Sequence, residues 1–178
     1  MRILVNGEMK ELKAIGVSGI EWTKELLGHY NASEFKWNDE VETYEMDEDS
    51  FSWWEEMVEK LNHMQELEND LTDVEKERYW SEVLNVGEIS LEDDTNQRIA
   101  WLEEKRLVVS AWGEKRVVKI GDKLELCNIF ESESDDQFVE QLLESGCLSP
   151  DNENVLEFKV LRRYSNVWQT DLEITDIY

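Results

Sequence analysis

Two histidines, two cysteines, one proline and only 18 lysines and arginines in 178 residues set the first limits on what this chain can do. With so few histidines, a Ser-His-Asp or Cys-His arrangement must use His29 or His63. His29 falls at the end of an expected helix, where an imidazole helps the dipole, and His63 falls mid-helix beside Glu59 and Glu66. Both read as structural or exposed. His63-x-x-Glu66 sets two metal-ligating types one turn apart, but no cysteine or second histidine stands near to complete a zinc site. Cys127 and Cys147 are too few for a disulfide framework and read as reduced, partly buried thiols. The shortage of basic residues excludes direct binding to nucleic acid or an anionic membrane: Lys115, Arg116 and Lys119, with Arg162 and Arg163, cannot override a net charge of −25. No apolar run approaches the roughly 18 residues a membrane span needs. The first residues turn polar by Asn6, too early for a signal peptide. A cytoplasmic location is the expectation.

Phosphate loops and dinucleotide fingerprints are also missing. Gly16-Val17-Ser18-Gly19 approaches a nucleophile elbow, but Ile20 stands where the second glycine belongs. The chain thus offers no catalytic site, no cofactor site and no metal site, and reads as a non-enzyme. Glu45-x-Asp47-x-Asp49 with Glu56 loosely copies a calcium loop; Ser50 sits where such a loop needs glycine for its sharp turn.

What is abundant is acid on a foldable chain. Forty per cent hydrophobic residues, eight of them Trp, argue for an ordered core, since disordered acidic chains are poor in aromatics. Of 43 Asp and Glu, 23 lie between Asp39 and Glu104 against four basic residues, a local net of −19. Duplex DNA carries one charge per roughly 1.7 Å, so about 19 charges match roughly nine or ten base pairs.

Along the chain, Ile3-Leu4-Val5-Asn6-Gly7 predicts a β-hairpin on a two-residue turn, ending near Ile15. A short helix is expected over 20–27, stopped by Gly28, and Val41 to Met46 alternates like a strand. Phe51, Trp54, Val58, Leu61, Met64, Leu67 and Leu71 recur at three- and four-residue steps and predict a long helix capped by Asp47 or Asp49. Thr72-Asp73-Val74-Glu75 is a capping box, opening a helix to about Asn85 that buries Val74, Tyr79, Trp80 and Val83. Ser90 opens a third, through Ile99, Trp101 and Leu102. From Leu107 the pattern turns to β. A hairpin about Gly113 is followed by a strand from Lys123, a helix over 134–144 burying Phe138, Val139, Leu142 and Leu143, a loop at 150–154 and a closing hairpin over 155–174. The expected class is α+β: an N-terminal hairpin with about three acidic helices in 1–106, and an α+β part in 107–178 sharing the same core.

The candidate partner-binding residues are the outward acids of these helices and one aromatic: Asp47, Glu48, Asp49, Trp53, Glu55, Glu56, Glu59, Glu66, Glu68, Asp70, Asp73 and Glu77. Glu55 with Glu59 and Asp73 with Glu77 are like charges four apart, each costing a few tenths of a kcal/mol. Glu56 with Lys60 is one of few compensating pairs. A use for the field would justify that repulsion. Trp53 sits off the apolar stripe and is expected either to be exposed as an anchor or to pack on a neighbouring element.

Phe51-Ser52-Trp53-Trp54-Glu55-Glu56-Met57-Val58-Glu59-Lys60-Leu61, with the acidic end Glu173-Ile174-Thr175-Asp176-Ile177-Tyr178, resembles in size, charge and texture the acidic anti-defence proteins of phages and mobile elements, ArdA-type antirestriction proteins and DNA-mimicking anti-CRISPR inhibitors. The resemblance covers about a third of the chain. It implies a non-enzymatic inhibitor that occupies the nucleic-acid groove of a basic nuclease complex. An immunity protein against a nuclease toxin would use the same electrostatics, and an acidic scaffold would use the charge only for solubility.

Overall fold

The structure, a computed structural model, describes residues 2–13, 36–83, 89–111, 113–127, 134–150, 155–164 and 169–178. The helix expected over 20–27, the hairpin's end near Ile15, and His29 lie outside them. Among the described residues are four helices: α1 (Glu48–Asn69), α2 (Asp73–Val83), α3 (Leu91–Glu103) and α4 (Asp135–Glu144). Strands and helices together make an α+β protein, and none of the described helices is long and apolar enough to cross a membrane.

The chain divides into two compact units, Met1–Asp70 with Asn85–Leu102, and Leu71–Leu84 with Glu103–Tyr178. In the first, β1 (Arg2–Val5) and β2 (Glu8–Glu11) form the expected hairpin. Asn6 and Gly7 turn it with φ of 47° and 87°, the pair of left-handed conformations a type I′ turn requires. β3 (Lys36–Asn38) and β4 (Thr43–Met46) complete a sheet of order β2-β1-β4-β3, in which β1 and β4 run parallel. The strand expected from Val41 begins only at Thr43, because Glu42 takes a positive φ in the turn from β3. Ile3, Val5 and Met46 are buried, as are Phe51, Trp54, Met57, Val58, Leu61 and Met64 along one side of α1.

The second unit holds two three-stranded antiparallel sheets. One orders β6 (Glu114–Lys119), β5 (Arg106–Ala111) and β8 (Leu148–Pro150); the other orders β7 (Lys123–Cys127), β10 (Gln169–Ile177) and β9 (Leu156–Tyr164). Gly121 N–H donates to the Ile174 carbonyl at 2.8 Å and Ile174 N–H to that of Asp122 at 2.9 Å, which links the second sheet's β10 to the turn after β6. Phe138 and Leu142 of α4 pack with Leu107, Val109, Leu148, Leu172 and Ile174 in one core. Pro150, expected in a loop, ends β8 on the sheet's edge, the kind of position to which sheets confine proline.

Several burial expectations fail for one geometric reason. Successive helical residues point about 100° apart, so the neighbour of a buried residue is covered only where the packed face is wide, as at Met57 and Val58. Tyr79 is fully buried while Trp80 is 40% exposed, and Leu142 is fully buried while Leu143 is 40% exposed. Val74, Val83, Val139 and Leu67 are only half-buried. Met57, absent from the expected stripe, is 1% exposed because it lies between Trp54 and Leu61 on the same side.

Candidate functional site

α1 is set in place by its first turn. Asp47 holds an extended conformation and its carboxylate accepts from Ser50 N–H at 2.7 Å, an N-cap that, with its other hydrogen bonds here, holds this carboxyl below its usual range. With the apolar side buried, Ser52, Glu55, Glu56, Glu59, His63 and Glu66 are outward and exposed, joined at the ends by Glu48, Asp49 and Asp70. The helix is 22 residues long, about 33 Å at 1.5 Å per residue.

The first unit's cations are spent in a particular way. Lys60 donates to Glu92 at 2.9 Å, and Arg98 pairs with Glu68 and, at 3.6 Å, with Asp94. These two residues fasten α1 to α3 along the inner flank. Lys60 therefore does not reach Glu56, as helical spacing suggested, but crosses to a residue 32 positions away. Glu92 is held below its ordinary range by the hydrogen bonds from Lys60 and then from the Trp53 indole N–H, the latter at 3.2 Å. Trp53 is accordingly half-buried, edge-on to Trp54 with centroids 5.1 Å apart, and is a strut to α3 rather than an exposed anchor.

On the outward side, Lys10 pairs with Glu48, and Lys13 with Glu59 at 3.0 Å with both side chains open to water. Such exposed pairs hold weakly, at about 0 to 1 kcal/mol. Asp49, Glu55, Glu56, Glu66 and Asp70 have no ion pair among the described residues. An open cleft of about 370 Å³ lies where the chain leaves β2 beside α1, lined by Leu12, Lys13, Ser52, Glu55, Glu56 and Glu59. Leu12 is fully buried. The arrangement can receive cationic side chains, and among its described residues no nucleophile is paired with a base. Lys10, Lys13 and Ser52 were not singled out from the sequence. Partners 38 and 46 residues apart leave no local signal.

Asp73 and Glu77 belong to the second unit. Both are exposed on α2, where Asp73 stands in the first turn and favours the helix dipole. The capping box is present: Glu75 N–H donates to the Thr72 hydroxyl at 3.4 Å, and the Glu75 carboxylate accepts from Thr72 N–H at 2.9 Å. Cations here serve the fold. Arg78 grips Asp122 with both terminal nitrogens and donates to the Val117 carbonyl at 2.7 Å, Arg106 donates to Glu75 at 2.9 Å, and Lys119 meets Glu82 and Glu104.

The calcium-loop pattern is not a loop. Glu45 is in β4, Asp47 caps α1 and Asp49 is already helical, so the three carboxylates do not converge. Among the described residues no group of three or more His, Cys, Asp or Glu could hold a metal ion. His63 is exposed, and Cys147 is a free, half-buried thiol; the Cys127 side chain lies outside those described. No family model matches this chain, and no curated protein or solved structure does either.

Proposed function

We propose that this protein is a non-enzymatic inhibitor that presents the outward side of α1 to a basic nucleic-acid-binding protein in place of phosphates, with bacterial restriction and CRISPR nucleases the favoured targets. The observation that carries the reading is the set of exposed carboxylates Asp49, Glu55, Glu56, Glu66 and Asp70, which have no ion pair among the described residues, on a helix where Lys60 and Arg98 pair towards α3 and Lys10 and Lys13 form weak exposed pairs. A surface acidic only for solubility would gain from pairing its charges locally. Here Lys60 and Arg98 pair across the seam with α3, and on the outer side Lys10 and Lys13 meet only Glu48 and Glu59 among the described residues. Carboxylates so placed steer a basic groove at long range and exchange its phosphate contacts for their own. The resemblance in texture to antirestriction and anti-CRISPR proteins points the same way.

The test is a tagged pull-down with a panel of restriction and CRISPR complexes at about 0.1 M and about 0.5 M salt, with wild type and with Glu55→Lys, Glu56→Lys, Glu59→Lys and Glu66→Lys combined. A nuclease retained at low salt, released at high salt, displaced by its own nucleic acid and lost with the charge reversal supports the reading. Retention unaffected by the reversal refutes it.

A further inference from the structure

We infer that Lys13 is a competitor built into the chain: its ammonium holds a carboxylate of the cleft beside α1, and a basic side chain of the partner enters that cleft only as Lys13 leaves. This rests on the phosphate-mimic reading and adds a control on the same site.

The cleft, of about 370 Å³, is at the small end of the ligand-sized range and takes one or two side chains. Its helical residues, Ser52, Glu55, Glu56 and Glu59, follow one another at three- and four-residue spacings, so they share one side of α1 with neighbouring Cβ atoms about 5 to 6 Å apart. One cation is already there. Lys13 Nζ lies 3.0 Å from the Glu59 carboxylate. Glu55 and Glu56 have no ion pair among the described residues, since Lys60, four residues on from Glu56, crosses to Glu92. The cleft thus sets three carboxylates beside one ammonium, and the pair that Lys13 makes shows the chemistry it accepts. A lysine ammonium is a compact point charge, whereas a guanidinium presents five N–H donors in a planar fork that can meet two carboxylates at once. An incoming arginine therefore gains more partners than Lys13 gives up.

Lys13 is held lightly, in contrast to the other lysine that reaches α1 from the N-terminal hairpin. Lys10 pairs with Glu48, lies 5.3 Å from the centroid of the buried Phe51 ring and has a side chain only 34% exposed, so it braces β2 against the helix. The Lys13 and Glu59 side chains are 76% and 67% exposed, and a pair so open to water is weak and screened by salt. The residue before Lys13 is the fully buried Leu12, which fixes the backbone at the rim of the cleft. The Lys13 side chain can therefore swing out while the chain beneath it stays seated. A lysine serving only to clasp the chain to α1 would have the opposite signature, with binding unchanged or weakened when it is removed.

The experiment titrates the full, isotope-labelled chain with a hexa-arginine peptide and follows backbone amides by NMR at about 0.1 M salt, where the Debye length is about 10 Å. Wild type is compared with Lys13→Gln and with Lys36→Gln, which makes the same change of net charge on β3, three strands and about 14 Å across the sheet from β2. The peptide is expected to shift the amides of Glu55, Glu56 and Glu59. Lys13→Gln should bind it about two- to fivefold more tightly than wild type, the range open to the loss of one exposed ion pair. Lys36→Gln should change affinity by less than about 1.5-fold, because its charge is screened from the cleft. Lys13→Arg, which keeps a cation in the cleft, should bind no more tightly than wild type, with far-UV circular dichroism the same for all four proteins. Equal tightening by Lys13→Gln and Lys36→Gln, or none by Lys13→Gln, overturns the competitor and leaves the acidic side of α1 as the partner surface. A peptide that shifts no amide of α1 in any variant overturns both.

Discussion

If α1 keeps its charge for a partner, removing part of that charge should stabilise the free protein and weaken binding together. The perturbation is Glu55→Gln with Glu66→Gln, two exposed positions where Gln has nearly the same helix propensity as Glu. The change removes like-charge pairs with Glu59 and Asp70, each four residues on and each unfavourable by about 0.2 to 0.5 kcal/mol. Lys13 beside Glu59 trims the first of these. Glu66 also lies in the last turn, which contains no basic residue, so its loss relieves about 0.3 to 1 kcal/mol against the helix dipole. The sum is about 1 kcal/mol of added stability, or about 2 to 4 °C in Tm for a chain of this size. Urea unfolding at about 0.05 M salt should show the gain, and about 0.5 M salt should erase most of it through screening. Affinity for a captured partner should fall about five- to thirtyfold, as expected for two lost ion pairs of up to about 1 kcal/mol each. A variant less stable than the parent at low salt, or one that binds as well, would refute the reasoning.

Two further predictions concern the second unit. Asp122→Asn removes one of the two carboxylates that meet the Arg78 guanidinium, the other being Glu82 at 2.8 Å, and weakens acceptance from Lys119 N–H, so unfolding in urea should be easier by about 1 to 2 kcal/mol, below the 3 to 5 of a fully buried pair broken outright; a change under about 0.5 kcal/mol would show the pair to be idle. Burial raises the Glu75 and Asp122 carboxyls, but Thr72 and Arg106 around the first, and Arg78 and the Lys119 amide around the second, hold both below their ordinary range. Groups lowered in the folded state stabilise above their unfolded pKa of about 4 and lose that contribution as pH falls through the folded value, so Glu75→Gln should flatten the acid limb of stability below about pH 4 and leave its slope above pH 5 unchanged. A slope unchanged below pH 4 would contradict the ion pair.

Much of the local structure was legible along the chain because its causes are local. Asn6-Gly7 specified a turn, Thr72 with Glu75 specified a box, the stripe from Phe51 to Leu71 specified the helix whose back is the acidic ridge, and the caps were narrowed to Asp47 or Asp49 and Ser134 or Asp135, of which the fold uses Asp47 and Ser134. Each is an interaction within four residues or a period of 3.6. The α+β class follows from the same signals. Burial within a stripe was read less well at Trp80 and Leu143, since periodicity gives the direction of a face and not the width that neighbouring elements cover.

The candidate site divides along the same line. Sequence alone determined that α1 is amphipathic, acidic on its outer side and about 33 Å long. Only tertiary structure decided which of those acids remain unpaired. Lys60, Arg98, Lys10 and Lys13 meet partners 30 to 46 residues away, with Arg98 keeping a second one at Asp94 on its own helix, so these pairs are set mainly by which elements pack together. The same packing placed α2 in the second unit and bound Trp53 to Glu92, removing two features of the expected surface from the ridge. A charge total is fixed by composition, but the field a partner meets is fixed by pairing, and pairing exists only once the chain has folded.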